Sequence, residues 1–386
     1  MTNDRKKASF KIVVCSCFLA SIAAWGQKTE KQQPHYYSLK VIAFYNLENL
    51  FDTINQAHIF DDDRTPDGKD QWTAKKYHHK ISQLARVIAS LGVEKNPEEA
   101  LAKGLKNQLP SKTLPELFKP LKESWGADLL GVCEVENINV LEQLIEHPLL
   151  QPLPYGIIHF DSPDERGIDV ALLYKKNYFI PASFNTHSLY LYNELQQRDY
   201  TRDQLVVMGY LEGEPIWLLV NHWPSRSGGE ARSKPQRLAA ALLNVRIIDS
   251  IRAIDPEAKI IGMGDFNDNP TDESFKKILQ TKAKPGDSSY RELYNPMEQH
   301  YKRGFGSLAY RDQWSLFDQF YLSASLLKRS IGSYSFLKAS IYTHQSLITQ
   351  KGQYRGYPFR SYSGGAYRGG YSDHFPVQLF LIKKNL

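Results

Sequence analysis

Ile260-Ile261-Gly262-Met263-Gly264-Asp265-Phe266-Asn267-Asp268 is the stretch whose reading decides the fold. Ile260 to Met263 forms a short buried strand, and the chain then turns tightly beside two glycines, carrying an acid and an amide two residues apart. On extended or turning backbone, residues i and i+2 can face the same side. Asp265 can therefore orient or deprotonate a water while Asn267 donates to a phosphate oxygen. The plainer reading of the same residues is an Asx-turn followed by a helix start at Asn269-Pro270-Thr271.

Three other apolar runs end in the same way. Leu39 to Phe44 is followed by Asn46, Leu129 to Cys133 by Glu134, and Ile216 to Val220 by His222. Between the strands lie helical stretches. Lys75 to Leu91 has Ile81, Leu84, Ala85 and Ile88 at helical spacing with Thr73 as N-cap, Val140 to Glu146 is shorter, and Leu238 to Ile254 ends at Asp255-Pro256. Ile157 to Phe160 and Asp169 to Tyr174 pair as strands, and Phe317 to Leu322 and Val377 to Ile382 complete the set. Such alternation predicts an α/β protein. Ligand sites in α/β proteins gather at the carboxyl ends of strands, so four polar groups so placed predict one shared rim.

The chain has 386 residues, 42% hydrophobic and 23% charged, which predicts a soluble globular protein with a sizeable core. Residues 1–26 differ from the rest: Arg5, Lys6, Lys7 and Lys11 precede a short apolar run, and Ala24 and Gly26 offer small residues for cleavage. This is the pattern of a secretory signal peptide, so residues 27–386 are expected to be one exported domain, periplasmic or extracellular. No other segment reaches a membrane-spanning length, and no stable membrane insertion is expected. Residues 94–125 contain Pro, Lys and short amphipathic pieces and read as a surface insertion. After cleavage only Cys133 remains, which excludes an internal disulfide and a sulfur-rich zinc site. Loss of the leader lowers the net charge from +6 to +3, an excess too small to indicate nucleic acid by itself. A monomer with no protein partner is the expectation.

Ser372-Asp373-His374-Phe375-Pro376 is the second chemical motif. A histidine beside an acid can be held protonated, suited to stabilising or protonating a phosphoryl oxygen, although the pair also reads as a satisfied surface contact.

Asn46 in Phe44-Tyr45-Asn46-Leu47-Glu48-Asn49, Glu134 in Cys133-Glu134-Val135-Glu136-Asn137, Asp265 with Asn267, Asp318 in Leu316-Phe317-Asp318-Gln319, and Ser372-Asp373-His374 occur in a characteristic order. The set resembles the endonuclease/exonuclease/phosphatase superfamily, which includes deoxyribonuclease I, and the resemblance runs from Asn46 to His374. It implies a four-layer α/β/β/α sandwich with two mixed β-sheets and the site at one end of them. It also implies that Glu134 is the principal metal ligand, supported by Asn46 and Asp373. Oxygen ligation of that kind suits Mg²⁺, with Mn²⁺ or Ca²⁺ as alternatives. Asp265 then activates the attacking water, Asn267 holds a phosphate oxygen, and His374 stabilises the charge developing there. Asp318 matches the family acid before the late strand, and His222 is a candidate general acid with Asp169 as its orienting carboxylate. An ion pair between Asp169 and Arg166 is the plainer reading of that acid. Arg166, Arg226 and Arg232 cluster near these motifs as phosphate-binding candidates, against the reading of ordinary surface charge.

The stretch Gln353 to Tyr371 interleaves Arg355, Arg360 and Arg368 with Tyr354, Tyr357, Phe359, Tyr362, Tyr367 and Tyr371. Arginines can track phosphates while rings stack on bases, which favours a nucleic-acid substrate and a metal-dependent endonuclease acting on DNA or RNA. The bland reading is a Tyr/Gly-rich hairpin of structural aromatics. A sphingomyelinase-like lipid phosphodiesterase, an inositol-phosphate phosphatase and a non-enzymatic binding module on the same scaffold are the alternatives. The acidic segment from Asp61 to Asp70 partly imitates a calcium loop, but Ala74 stands at the closing glutamate position, and a solvated turn is expected.

Overall fold

A computed structural model describes residues 37–57, 59–92, 125–284 and 292–385. Its strands are β1 (Tyr37–Leu50), β2 (Leu129–Val135), β3 (Tyr155–His159), β4 (Asp169–Lys175), β5 (Phe179–His187), β6 (Leu191–Tyr192), β7 (Arg198–Asp199), β8 (Gln204–Leu211), β9 (Glu214–His222), β10 (Ile260–Asp265), β11 (Leu293–Tyr294), β12 (Leu308–Tyr310), β13 (Gln313–Ser315), β14 (Asp318–Ser323), β15 (Ser335–Ile341), β16 (Tyr362–Ser363), β17 (Ala366–Tyr367) and β18 (Val377–Lys384). The main helices are α1 (Ala74–Ser90), α2 (Ile138–Ile145) and α3 (Glu230–Ile254).

Two six-stranded sheets carry the fold, ordered β15-β18-β1-β2-β4-β3 and β11-β14-β10-β9-β8-β5. Both are mixed: β1 and β2 run parallel in the first and β9 and β10 in the second, and the remaining pairs are antiparallel. The central strands are apolar on both faces because both faces are covered. Phe44, Leu172, Val220, Met263, Phe320 and Leu379 pack between the sheets. Tyr45, Val132 and Leu173 face helices α1 and α2, while Leu219, Ile260 and Tyr321 face α3. The four layers are therefore helix, sheet, sheet, helix, as the resemblance implies. Emptying Phe44 to alanine would cost roughly 3–5 kcal/mol.

The glycines of Gly262-Met263-Gly264 answer to close neighbours. A Cβ on Gly262 would meet the Tyr321 ring at 1.9 Å, and one on Gly264 would meet the Asn221 carbonyl oxygen at 2.3 Å. Neighbouring strands can close on β10 only over bare backbone.

Strand registers then bring distant residues together. Asp265 is paired with His222 on one side and Asp318 on the other, and Asn46 is paired with Cys133, next to Glu134. β1 runs to Leu50, past the expected end at Phe44, and its register with β2 shifts between Asn46 and Leu50. In that bulge Glu48 and Asn49 take positive φ values of 50° and 53°.

Helix α1 follows its sequence pattern. Thr73 caps it by accepting from the Lys76 N–H, and Tyr77, Ile81, Leu84 and Ile88 are buried at helical spacing. The acidic segment departs from a solvated turn, because Asp61 is buried and accepts from the Gln56 N–H, although Asp62 and Asp63 are exposed. The expected leader, residues 1–26, lies outside the described residues, as does the expected insertion apart from exposed Trp125. No helix among the described residues is long and apolar enough to cross a membrane.

Candidate active site

Asn46 ties the centre together. Its amide nitrogen donates to Glu134 Oε1 at 3.2 Å and to Asp265 Oδ2 at 3.1 Å, joining the ends of β1, β2 and β10. Glu134 Oε2 accepts from the Asn49 N–H at 2.9 Å. Glu134 has φ 57° and Asn267 φ 51°, left-handed conformations that are uncommon for side-chain-bearing residues and concentrate at functional sites. Asp265 Oδ1 accepts from the Asn267 N–H at 3.0 Å, the Asx-turn expected from sequence.

Two histidines flank Asp265 Oδ2. His222 Nε2 lies 3.8 Å away and His374 Nε2 lies 3.9 Å away. His374 Nδ1 is 2.6 Å from Asp318 Oδ2, and its backbone N–H donates to Ser372 Oγ, which donates in turn to the Asn46 carbonyl. Ser372 thereby pins the Asp373-His374 segment to the end of β1.

The surroundings split the titrations. Burial pushes the Asp265 carboxyl up to about 7, although His374 beside it works the other way. Burial and the Glu48 charge raise Asp373 to about 6. Burial opposes charge on His374, but Asp318 and Asp265 outweigh it and raise its pKa well above the usual histidine value. Burial lowers His222 well below that value, reinforced by Arg202 and Arg166. One imidazole is thus kept as a cation and the other neutral.

Several expected roles are corrected by these contacts. Asp169 does not orient His222: its carboxylate is taken by His159 Nε2 at 3.0 Å and by the backbone and hydroxyl of Ser162 at 2.7 and 2.6 Å. His222 Nδ1 has no hydrogen-bond partner among the described residues. A neutral, unoriented His222 is poorly suited to begin as a general acid. Nor does Asp169 pair with Arg166, whose Nε lies 3.6 Å from Asp164. Arg226 is not poised for substrate either. Its guanidinium serves the Asn267 carbonyl, Asp268, Asp272 and Glu230, so it braces the turn after β10. One N–H of the Asn267 amide goes to the Trp223 carbonyl at 3.0 Å, leaving the other for a ligand.

The Arg/Tyr stretch divides in two. Tyr362 and Tyr367 pack on Trp72 with ring centroids 6.1 Å away, and their hydroxyls bond to Asp70, Lys76 and His79, so they are structural. Tyr354, Tyr357 and Phe359, together with one side of Tyr362, line a cleft of about 910 Å³ with Arg311, Lys351, Arg360 and Arg368. The cleft reaches Asp373, and Arg360 Nη2 bonds to Asp373 Oδ2 at 2.7 Å. The cleft therefore meets the cluster at Asp373, the residue before His374.

Sequence reading missed Glu48, Lys80 and Arg202. Buried Arg202 bridges Asp164 and the Trp223 carbonyl beside His222. Glu48 stands two residues after Asn46 in the quoted motif, and Lys80 interrupts the apolar stripe of α1. An acid inside a motif and a lysine on a buried helical face were the available signals.

The donor set fits a hard divalent cation. Glu134 and Asp265 meet at the Asn46 amide; Asp265, Asp318 and His374 place ligand atoms within 4.8 Å of one another, and buried Asp318 Oδ1 has no partner among the described residues. Oxygen donors dominate, and burial keeps nearby Cys133 protonated by raising its thiol pKa well above the ordinary value.

The pattern of the Endonuclease/Exonuclease/phosphatase family matches residues 41–119 and 102–383. No curated protein matches the chain. Among solved structures it is similar to an endonuclease/exonuclease/phosphatase family protein from Bacteroides thetaiotaomicron, at 15% identity and TM-score 0.48 over 90% of this chain and 98% of that one. It is similar to truncated Caenorhabditis elegans TDP2 at 15% identity and TM-score 0.48, over 89% of this chain and 97% of that one. It is also similar to the mannosyl-6-phosphatase Bt3783 of Bacteroides thetaiotaomicron at 15% identity and TM-score 0.47, over 89% of this chain and 99% of that one.

Proposed function

The chain belongs to the endonuclease/exonuclease/phosphatase family, whose members hydrolyse phosphoesters, and on that premise we propose that it is an exported, metal-dependent nuclease cleaving phosphodiester bonds. The observation that carries the substrate is the 910 Å³ cleft of aromatic and basic residues opening onto Asp373. A phosphomonoester needs no such cleft. A strand of linked nucleotides does, with phosphates on Arg311, Lys351 and Arg368 and bases against Tyr354 and Phe359.

In this reading Glu134, Asn46 and Asp373 would hold Mg²⁺. When bound, such an ion neutralises the phosphate oxygens and polarises the phosphorus for attack. Asp265, anchored by Asn46 and the Asn267 N–H, takes the proton of the attacking water. Its raised pKa, about 7, makes it a stronger base than an ordinary carboxylate once ionised. His374, kept cationic by Asp318, donates to a phosphate oxygen as charge builds there, and its proton goes to the departing oxygen as the bond from phosphorus to the leaving nucleotide breaks. The second N–H of the Asn267 amide, beyond the one given to the Trp223 carbonyl, supplies another donor to the same group. His222 contributes a neutral ring that donates to phosphate, and Arg166, half exposed and electrostatically coupled to His222, meets the substrate on that side.

A substrate panel tests the proposal. The full chain is assayed with plasmid DNA, single-stranded RNA, sphingomyelin and inositol phosphates, with and without EDTA, beside Asp265→Ala and His374→Ala. Metal-dependent cleavage of nucleic acid alone, abolished by both substitutions, is expected. Cleavage confined to the lipid or to the monoesters overturns the nuclease reading, and activity retained in EDTA removes the metal. Export is checked by N-terminal sequencing of protein recovered from outside the cytoplasm, with a start near Gln27 expected.

A further inference from the structure

Lys80 occupies the apolar stripe of α1 between Tyr77, Ile81 and Leu84 and is entirely buried. A buried ammonium is destabilising unless every proton finds an acceptor. Leucine or methionine would fill the stripe without that penalty, and replacing buried ion pairs with apolar groups is often neutral or stabilising. What the ammonium holds is therefore informative. It donates to Ser361 Oγ at 2.7 Å and the Tyr371 carbonyl at 2.6 Å, and it lies 3.4 Å from Glu48 Oε2. Gln83, on the same buried helical face, donates to the Gly369 carbonyl at 2.9 Å.

Helix α1 thus grips both feet of the β16–β17 hairpin. Arg360 stands immediately before one foot and Asp373 two residues after the other. Glu48 closes the circuit, accepting from the Ser361 N–H at 2.7 Å and lying 3.4 Å from Arg360 Nε, while Arg360 bonds Asp373 at 2.7 Å. An unbroken chain of charge-assisted contacts runs from the middle of α1 through Lys80, Glu48 and Arg360 to Asp373. None of these contacts is local: Lys80 and Tyr371 are 291 residues apart in sequence.

We propose that Lys80 and Glu48 are a buried positioning pair that fixes Asp373, on the metal side, and Arg360, on the cleft side, in one register. Neither touches the reacting atoms, and both act through the residues they hold. The proposal rests on the reading of Asp373 as a metal ligand. Groups that orient metal ligands typically change metal affinity or activity by about 10- to 100-fold when removed. Displacements near 1 Å at a reacting centre cost about 100-fold in rate.

The test measures Mn²⁺ affinity by titration calorimetry, together with kcat and KM on an oligonucleotide, for the full chain and for Asp373→Asn, Lys80→Met and Glu48→Gln. Wild type should bind Mn²⁺ and Asp373→Asn should bind it at least tenfold more weakly. If Asp373→Asn binds as wild type does, the metal-ligand reading fails, independently of the pair. With that reading intact, Lys80→Met is expected to weaken Mn²⁺ binding by about tenfold and to raise KM. A lower melting temperature with unchanged Mn²⁺ affinity and unchanged KM would make Lys80 merely structural and overturn the proposal. Should Lys80→Met not fold, Glu48→Gln decides: weaker Mn²⁺ binding with raised KM supports the pair, and wild-type values for both overturn it.

Discussion

Asp318 Oδ2 lies 2.6 Å from His374 Nδ1, although 56 residues separate the two in sequence and Asp318 is wholly buried. The contact holds the ring with Nε2 toward Asp265 and keeps it cationic. Asp318→Asn keeps the shape of the partner but removes its charge. We expect kcat to fall by about 10³-fold with little change in KM. We also expect the His374 ring to titrate at lower pH, as followed by NMR. A variant as active as wild type would show that the charge on His374 has no part in the reaction.

Asp265 and Asp373 carry raised pKa values, about 7 and about 6, each principally through burial. A carboxylate that must accept a proton or hold a cation fails as the pH drops through its pKa. At limiting Mg²⁺, activity should therefore decline below neutrality. Because cations bind the ionised form, more Mg²⁺ should move the acid limb of the profile to lower pH. Rates measured from about pH 5 to about pH 9 at two Mg²⁺ concentrations give the answer. An acid limb that stays fixed while Mg²⁺ rises would separate Asp373 from the ion.

The cleft makes a separate prediction. Tyr354 and Arg368 are both exposed, and Arg368 Nε donates to the Ser363 carbonyl at 3.3 Å. Substituting either with alanine should raise KM for an oligonucleotide by about tenfold, the scale of one lost base stack or phosphate contact. Hydrolysis of a small aryl phosphodiester, too short to reach the cleft, should be unchanged. Equal effects on both substrates would place the damage in the catalytic cluster, and no effect on either would remove the cleft from recognition.

How much of this was legible beforehand depended on whether the physics was local. Asn46, Glu134, His222 and Asp265 could be read because an apolar run that ends in a polar group marks a strand end at a rim. Asp373 and His374 announced themselves as neighbours. Side-chain pairing across the fold was not legible: Asp169 turned to His159 on the adjacent hairpin strand, and Arg226 turned to Asp268 and Asp272 more than forty residues away. Those choices depend on strand register and loop course, which no short motif encodes. The edge strand β5 escaped notice because most of its side chains are solvent-facing, with Ser183, Asn185 and Thr186 interrupting any apolar pattern. Lys80 hid for the opposite reason, as a charge among apolar positions whose partners come from the far end of the chain.

The last prediction concerns stability and the acidic stretch after β1. Glu136 is buried, with its carboxylate accepting from the Asp52 N–H at 2.6 Å and from the Gln56 amide at 2.9 Å. Burial raises its pKa to about 8; those hydrogen bonds work against the rise, and the charges of Asp52 and Asp61 add to it. Its ordinary value is 4.5, so the unfolded chain releases this proton far more readily than the folded one. The sign follows from that difference: the contribution is fully present below pH 4.5 and is lost as pH rises through about 8. Glu136→Gln keeps the size of the side chain and cannot ionise. Its melting temperature should match wild type below pH 4.5 and exceed it increasingly as the pH rises to about 8. Parallel thermal scans across that window decide the matter. A variant that tracks wild type at every pH would mean that Glu136 ionises without resistance in the folded protein, and that its neighbours do not crowd it with charge.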